Sequence, residues 1–87
     1  MNKINIIELN SANFRVTVID IDTTKHEVTV QADYALKLTR GKLSTAELVR
    51  KSFEFLLARE SNTSILRNFD LSVIARYFPE YESVIAK

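Results

Sequence analysis

The sequence predicts an α+β fold: an N-terminal antiparallel β-hairpin or three-stranded meander followed by three to four helices. Three observations carry this. Phe14-Arg15-Val16-Thr17-Val18-Ile19 alternates, with Phe14, Val16 and Val18 on one side and Arg15 and Thr17 on the other. Glu27-Val28-Thr29-Val30-Gln31 repeats the alternation, with Val28 and Val30 facing in. After Ala32-Asp33 the apolar spacing changes from two to that of a helix, and Ser44-Thr45-Ala46-Glu47 opens the longest helical pattern in the chain.

Taken in order, Ile4-Asn5-Ile6-Ile7-Glu8-Leu9 alternates in part and suits a short edge strand. The polar stretch Asp20-Ile21-Asp22-Thr23-Thr24-Lys25-His26 suits a hairpin loop of about four residues, which pairs the flanking strands antiparallel. One apolar face of that hairpin needs a cover. A short helix comes next, carrying Tyr34, Ala35 and Leu38, with Asp33 as its cap and Gly41 just past its end.

The Ser44 helix begins with a capping box. The Ser44 hydroxyl can accept the Glu47 backbone N–H while Glu47 reaches back, and Leu43 and Leu48 sit where a hydrophobic staple would. The pattern runs to Arg59 or Glu60. Its apolar residues, Leu48, Val49, Phe53, Phe55, Leu56 and Leu57 among them, spread over roughly 200°, wider than the usual stripe of a surface helix. Such an arc packs on the sheet and also on the C-terminal helices, a second copy, or both, and it favours a homodimer over a monomer.

Ser61-Asn62-Thr63-Ser64 is a polar break, with a helical turn expected at Ile65-Leu66-Arg67. Asp70 then caps a helix striped by Leu71, Ile74, Ala75 and Phe78. Pro79 ends it and starts a last short helix through Tyr81, Val84 and Ile85. All of this fits a single domain over residues 1–87, β-rich in 1–32 and helical in 33–87.

Composition bounds the function. The chain has 87 residues with 46% hydrophobic and 26% charged side chains, a balance that suits one folded domain and not a disordered chain. With no Cys there is no disulfide scaffold, thiolate zinc site or thiol nucleophile. A single Gly cannot build a glycine-rich phosphate loop. The start, Met1 to Glu8, has a Glu where a signal peptide carries its apolar stretch, and no apolar run approaches a membrane span, so a cytoplasmic protein is expected. The net charge of +1 conceals a basic middle: residues 34–59 hold six basic and two acidic side chains.

Chemistry-bearing clusters are sparse. His26, the sole histidine, falls at a loop end with no Ser constellation around it and reads as a solvated or capping residue. Asp20-x-Asp22-x-Thr24 opens like a calcium loop, but Lys25 stands where that loop needs Gly and Gln31 where it needs the bidentate Glu. No catalytic residue, cofactor or metal site is expected. Phe69 and Phe78 read as core, whereas Tyr77 and Tyr81, spaced i,i+4 beside Arg76, could form the aromatic rim that protein interfaces favour.

Two family resemblances arise. From Glu27 to Glu60 the order of strand, short helix, Ser44-Thr45 and a helix reading Ala46-Glu47-Leu48-Val49-Arg50-Lys51 resembles a ribbon-helix-helix DNA-binding unit, found in small bacterial repressors and antitoxins. That resemblance implies outward strand side chains (Glu27, Thr29, Gln31) reading the major groove, with Ser44 and Thr45 holding a phosphate at the helix start. The stretch from Ser64 to Glu82, containing Phe69-Asp70-Leu71-Ser72-Val73-Ile74 and Arg76-Tyr77-Phe78-Pro79-Glu80-Tyr81-Glu82, is similar to the ending of a family of small bacterial proteins that brings no function with it.

The leading expectation is therefore a non-catalytic interaction module that binds another protein or a second copy of itself through Arg76, Tyr77 and Tyr81. The alternative is a DNA-binding regulator or antitoxin that uses Thr29, Gln31, Ser44, Thr45, Arg50 and Lys51.

Overall fold

A computed structural model describes residues 3–86; Met1, Asn2 and Lys87 lie outside the described residues. Four strands form one sheet in the order β1 (Lys3–Glu8), β2 (Asn13–Ile19), β3 (Thr23–Thr29), β4 (Asn68–Asp70). The first three make the expected antiparallel meander. Four α-helices come after the meander: α1 (Ala32–Thr39), α2 (Thr45–Leu57), α3 (Ile74–Tyr77) and α4 (Tyr81–Ile85), with 3₁₀ turns at Asn62–Ser64 and Leu71–Val73. The fold is α+β.

Alternation decides which face is covered. Cross-strand rows Ile4–Val18–Thr24, Ile6–Val16–His26 and Glu8–Phe14–Val28 share the helix side of the sheet. Phe14, Val16, Val18 and Val28 are buried there, while Arg15, Lys25 and Glu27 project from the other, open face. The β1–β2 connection is locked by Asn10, whose side-chain oxygen accepts the backbone N–H groups of Ala12 and Asn13 and the Asn13 amide. This is the local competition with regular structure that makes Asn a turn residue.

Helix α2 begins at the N-cap Ser44 with the full capping box. Glu47 N–H donates to the Ser44 hydroxyl at 3.1 Å, and Ser44 N–H donates to the Glu47 carboxylate at 2.9 Å. Those bonds hold the exposed Glu47 carboxyl below its ordinary range. The wide apolar arc is covered within the chain: α2 packs on β1 beneath it and against α1 and α4 at its sides. Leu48, Val49, Ser52, Phe53, Phe55 and Leu56 are all buried by this. Hence the arc supplies no argument for a second copy.

Several boundaries differ from the sequence expectation. The second strand of the hairpin ends at Thr29 and starts at Thr23, so only Asp20-Ile21-Asp22 remain as the turn, closed by the Asp20 N–H donating to the Asp22 carbonyl at 3.2 Å. Gln31 rather than Asp33 is the N-cap of α1, and Asp33 lies in the first turn, where its charge still favours the helix N-terminus. At the other end Arg40 itself takes the left-handed conformation (φ 52°), followed by Gly41 at φ 76°. Two successive left-handed residues explain the single Gly at that place, because a side chain on the second would add to the strain of the first.

The region 33–87 is not purely helical. Asn68–Asp70 adds a strand parallel to β3, with Glu27 opposite Asn68, Val28 opposite Phe69 and Thr29 opposite Asp70. The turn expected at Ile65–Arg67 lies earlier, at Asn62–Ser64, and Ile65 is already extended. As expected, Asp70 caps the turn that begins at Leu71: its carboxylate accepts the Ser72 backbone N–H at 3.0 Å and the Ser72 hydroxyl at 2.8 Å. Pro79 stops α3 at Tyr77, leaving Phe78 at φ −130°, outside helical geometry. Among the described residues no helix is long and apolar enough to cross a membrane.

Candidate functional site

The last third of the chain makes a concave surface against the end of α2. The extended segment through Ile65 and Leu66 runs toward β4, then turns back through Leu71–Val73 into α3. Between these stretches lies an apolar groove of about 340 Å³. Leu56, Ile65 and Ile74 are buried at its base, and half-buried Phe69 and Phe78 pack on the core beside them. Leu66 and Tyr77 form its exposed walls, with 48% and 67% of their surface open to solvent. Glu60 is the charged residue among those lining it.

Two buried polar clusters hold this segment in place. Asn62 is buried and donates its side-chain amide to the Asp22 carbonyl at 2.8 Å and to the Thr24 hydroxyl at 3.0 Å. His26 lies under Leu66: Nδ1 is 2.7 Å from the Leu66 carbonyl and Nε2 is 2.8 Å from the Thr24 hydroxyl. A carbonyl can only accept, so Nδ1 carries the proton; when the ring is neutral, the Thr24 hydroxyl accepts from Asn62 and donates to Nε2. Burial lowers the ring's pKa below 6.5, against the raising effect of the bond to Leu66, and nearby Arg67 lowers it further.

His26 is thus a correction to the sequence expectation. It is 1% exposed, with its ring 5.4 Å from that of Phe53. The signal was available: His26 precedes Val28 and Val30 by two and four positions, so the same alternation carried back turns it inward.

Tyr81 is the second correction. Its expected place on an exposed rim with Tyr77 rested on i,i+4 spacing within one helix. Pro79 breaks that helix, so Tyr77 ends α3 and Tyr81 begins α4, and the two do not share a face. Tyr81 is 0% exposed and lies against Phe55, ring centroids 5.3 Å apart. Its hydroxyl is 2.6 Å from the Ser52 hydroxyl, which itself donates to the Leu48 carbonyl, so Tyr81 is the donor to Ser52. Burial pushes the phenol up to about 12. Of the expected protein-binding residues, Arg76 and Tyr77 are exposed and Tyr81 is core.

The alternative, nucleic-acid set is differently placed. Thr29 is half-buried and its hydroxyl donates to Asn13 at 2.8 Å. Gln31 is exposed, with its amide donated to Asp70 at 3.3 Å. The Ser44 hydroxyl is engaged in the capping box, and Thr45 is half-buried. Arg50 and Lys51 are exposed on α2. Strand β3 has β2 on one edge and β4 on the other within the same chain. Over Glu27–Thr29, part of the stretch that the ribbon-helix-helix resemblance would pair between subunits, both edges of β3 are occupied within the chain.

A second, polar cleft of about 230 Å³ lies between α1 and the segment after β4, lined by Gln31, Asp33, Tyr34, Lys37, Asp70 and Ser72. Tyr34 donates to Glu82 at 2.8 Å, and Lys37 approaches the same carboxylate at 3.4 Å. The Tyr34 bond, then the lysine, hold the Glu82 carboxyl below its ordinary range. Burial would raise Asp70, but the bonds from Ser72 and Gln31 prevail and lower it. Apart from exposed Asp33, whose carboxylate accepts the Tyr34 backbone N–H at 2.9 Å, these groups satisfy one another. Among the described residues no group of three or more His, Cys, Asp or Glu side chains could hold a metal ion.

Leu66 and Ile21 are among the exposed apolar residues that sequence reasoning missed, with Ile7 and Leu36. Leu66 stood in an expected helical turn that would have hidden its role as a groove wall. Ile21 is 97% exposed at the tip of the β2–β3 turn. Its signal is an apolar residue between two aspartates where turn chemistry favours small or polar types. Comparison with protein-family models, with curated proteins and with solved structures found no match to this chain.

Proposed function

We propose that this protein is a non-catalytic interaction module whose contact surface is the groove between the end of α2 and the segment from Ser64 to Phe78. The supporting observation is the convergence of exposed Leu66 and Tyr77 on one apolar concavity. An apolar base with an aromatic wall is where protein interfaces concentrate binding energy. Arg76 stands next to Tyr77 in α3 and supplies a polar rim contact. Tyr81 supports the site indirectly, by packing α4 on Phe55 beside Phe78.

Selection of peptide ligands from a random library tests this reading. Peptides with apolar anchors should be enriched by the wild-type protein and should shift the backbone amide resonances of Leu66 and Tyr77. Leu66→Asp should abolish that binding while leaving the circular dichroism spectrum unchanged. Ligands that map to the open sheet face instead would refute it.

A further inference from the structure

We infer that the groove takes a segment of another protein that carries a basic side chain beside its apolar anchors, and that Glu60 holds that base. The inference rests on the groove being an interaction surface and names the chemistry of its partner.

Glu60 is the charged member of a lining that is otherwise apolar or neutral. It is half-buried, and it belongs to none of the ion pairs among the described residues, which are Arg15–Glu27, Lys37–Glu82 and Arg59–Glu80. Such a carboxylate is tolerated against an apolar wall while water reaches it. A segment that fills the groove displaces that water. An occupant that is apolar throughout leaves the carboxylate desolvated and unpaired, and an acidic one adds repulsion. A Lys or Arg on the occupant compensates the lost hydration, so charge complementarity selects a base.

No cation of the chain stands in that place among the described residues. Arg59, next to Glu60 in sequence, is turned elsewhere: its guanidinium lies 3.6 Å from the Phe55 ring centroid, donates to the Phe55 carbonyl at 3.0 Å and pairs with Glu80 at 3.5 Å. Arg67 and Arg76 adjoin the wall residues Leu66 and Tyr77 in sequence, but neither lines the groove. The last turn of α2 holds no basic residue, so its negative dipole end also favours a cation beside Leu56 and Glu60. These features orient the occupant, with its base toward the end of α2 and its apolar anchors between Leu66 and Tyr77.

The volume of about 340 Å³ admits a few side chains of a short segment, not a folded domain. Exposed apolar residues of this chain fit the requirement poorly. Ile21 lies between Asp20 and Asp22 and would bring carboxylates to Glu60, and Leu36 adjoins a lysine already paired with Glu82. Both point to a different protein as the partner.

Selection from a random peptide library on the wild type and on Glu60→Lys tests this. Peptides that shift the amide resonances of Leu66 and Tyr77 in the wild type should carry Lys or Arg beside apolar residues more often than the unselected library. Glu60→Lys should enrich Asp or Glu there instead. A synthetic copy of the most enriched wild-type peptide should bind Glu60→Gln about fivefold more weakly, and its affinity for the wild type should fall as salt is raised. Replacing the peptide's base by Gln should cost as much in the wild type and almost nothing in Glu60→Gln. Thermal melts confirm that each variant is folded, and the change in the peptide tests the pair on the wild-type protein itself. Groove-binding peptides with no excess of bases, or with a preference unchanged in Glu60→Lys, would overturn the inference and leave the groove reading standing. A wild-type dimer in sedimentation equilibrium that Leu66→Asp dissociates would also overturn it, since a second copy then fills the groove. If no peptide binds at Leu66 and Tyr77 and the wild type is a monomer, both readings fall.

Discussion

The meander of residues 3–29 and the segment of residues 61–86 are built by different means. In the meander, every strand is at least six residues long and its pairing partners follow in sequence. Repetition fixes its register: a one-residue slip would turn Val16, Val18 and Val28 out to solvent. In the later segment the longest element is the five-residue α4. Elements so short have almost no intrinsic stability. Particular side chains hold them instead: Asn62 and His26 at one end, Tyr81 and Ser52 at the other. A repeating pattern distributes its stability over many residues, whereas a segment held by a few buried groups concentrates it in them.

That contrast can be broken most sharply at Tyr81. Tyr81→Ala should cost about 3–5 kcal/mol, the range for removing a buried aromatic side chain, read from urea unfolding. Asn62→Ala comes next, at about 1–3 kcal/mol, since the Asp22 carbonyl and the Thr24 hydroxyl lose a buried donor. Urea melts with hydrogen exchange at Glu27, whose N–H donates to the Arg67 carbonyl, should show the loss centred on β4.

Acid should sharpen the comparison further. The native pKa of His26 lies below its ordinary 6.5, so between those two values the unfolded chain holds more protons than the folded one. Stability is then fully present above 6.5 and falls as the pH drops toward the native value. His26→Gln removes the titrating group, and its denaturation midpoint should be flatter across that window. The smallest effect belongs to Lys37→Ala, because the Lys37–Glu82 pair is largely exposed; its melting curve should move by less than about 0.5 kcal/mol.

The same contrast governs what could be read from the sequence. The alternating strands, the capping box and the stop at Pro79 are signals contained within a few consecutive residues. Each is found in the structure at or near its expected place. Strand β4 carries no such signal: three residues are too few to alternate, and Asn68–Asp70 is a strand only because β3 offers an open edge. The groove is illegible for the same reason, since its base joins Leu56 to residues 65–78 through the tertiary fold. Tyr77 was legible as an exposed aromatic next to Arg76. Tyr81 was misplaced because helical spacing was carried across a proline.

The parallel pairing of β3 with β4 also has a kinetic meaning. Glu27 and Asn68 are neighbours in the sheet, yet α1 and α2 lie between them in the chain. Bringing them together closes a long loop, an entropic cost that must be met before the contact rewards it. Until it closes, Phe69 is not opposite Val28 and the groove has no base. The groove therefore exists only in molecules that have completed this long-range contact. Anything seated in it draws the population toward the finished fold, and occupancy of the groove doubles as a report that folding is complete.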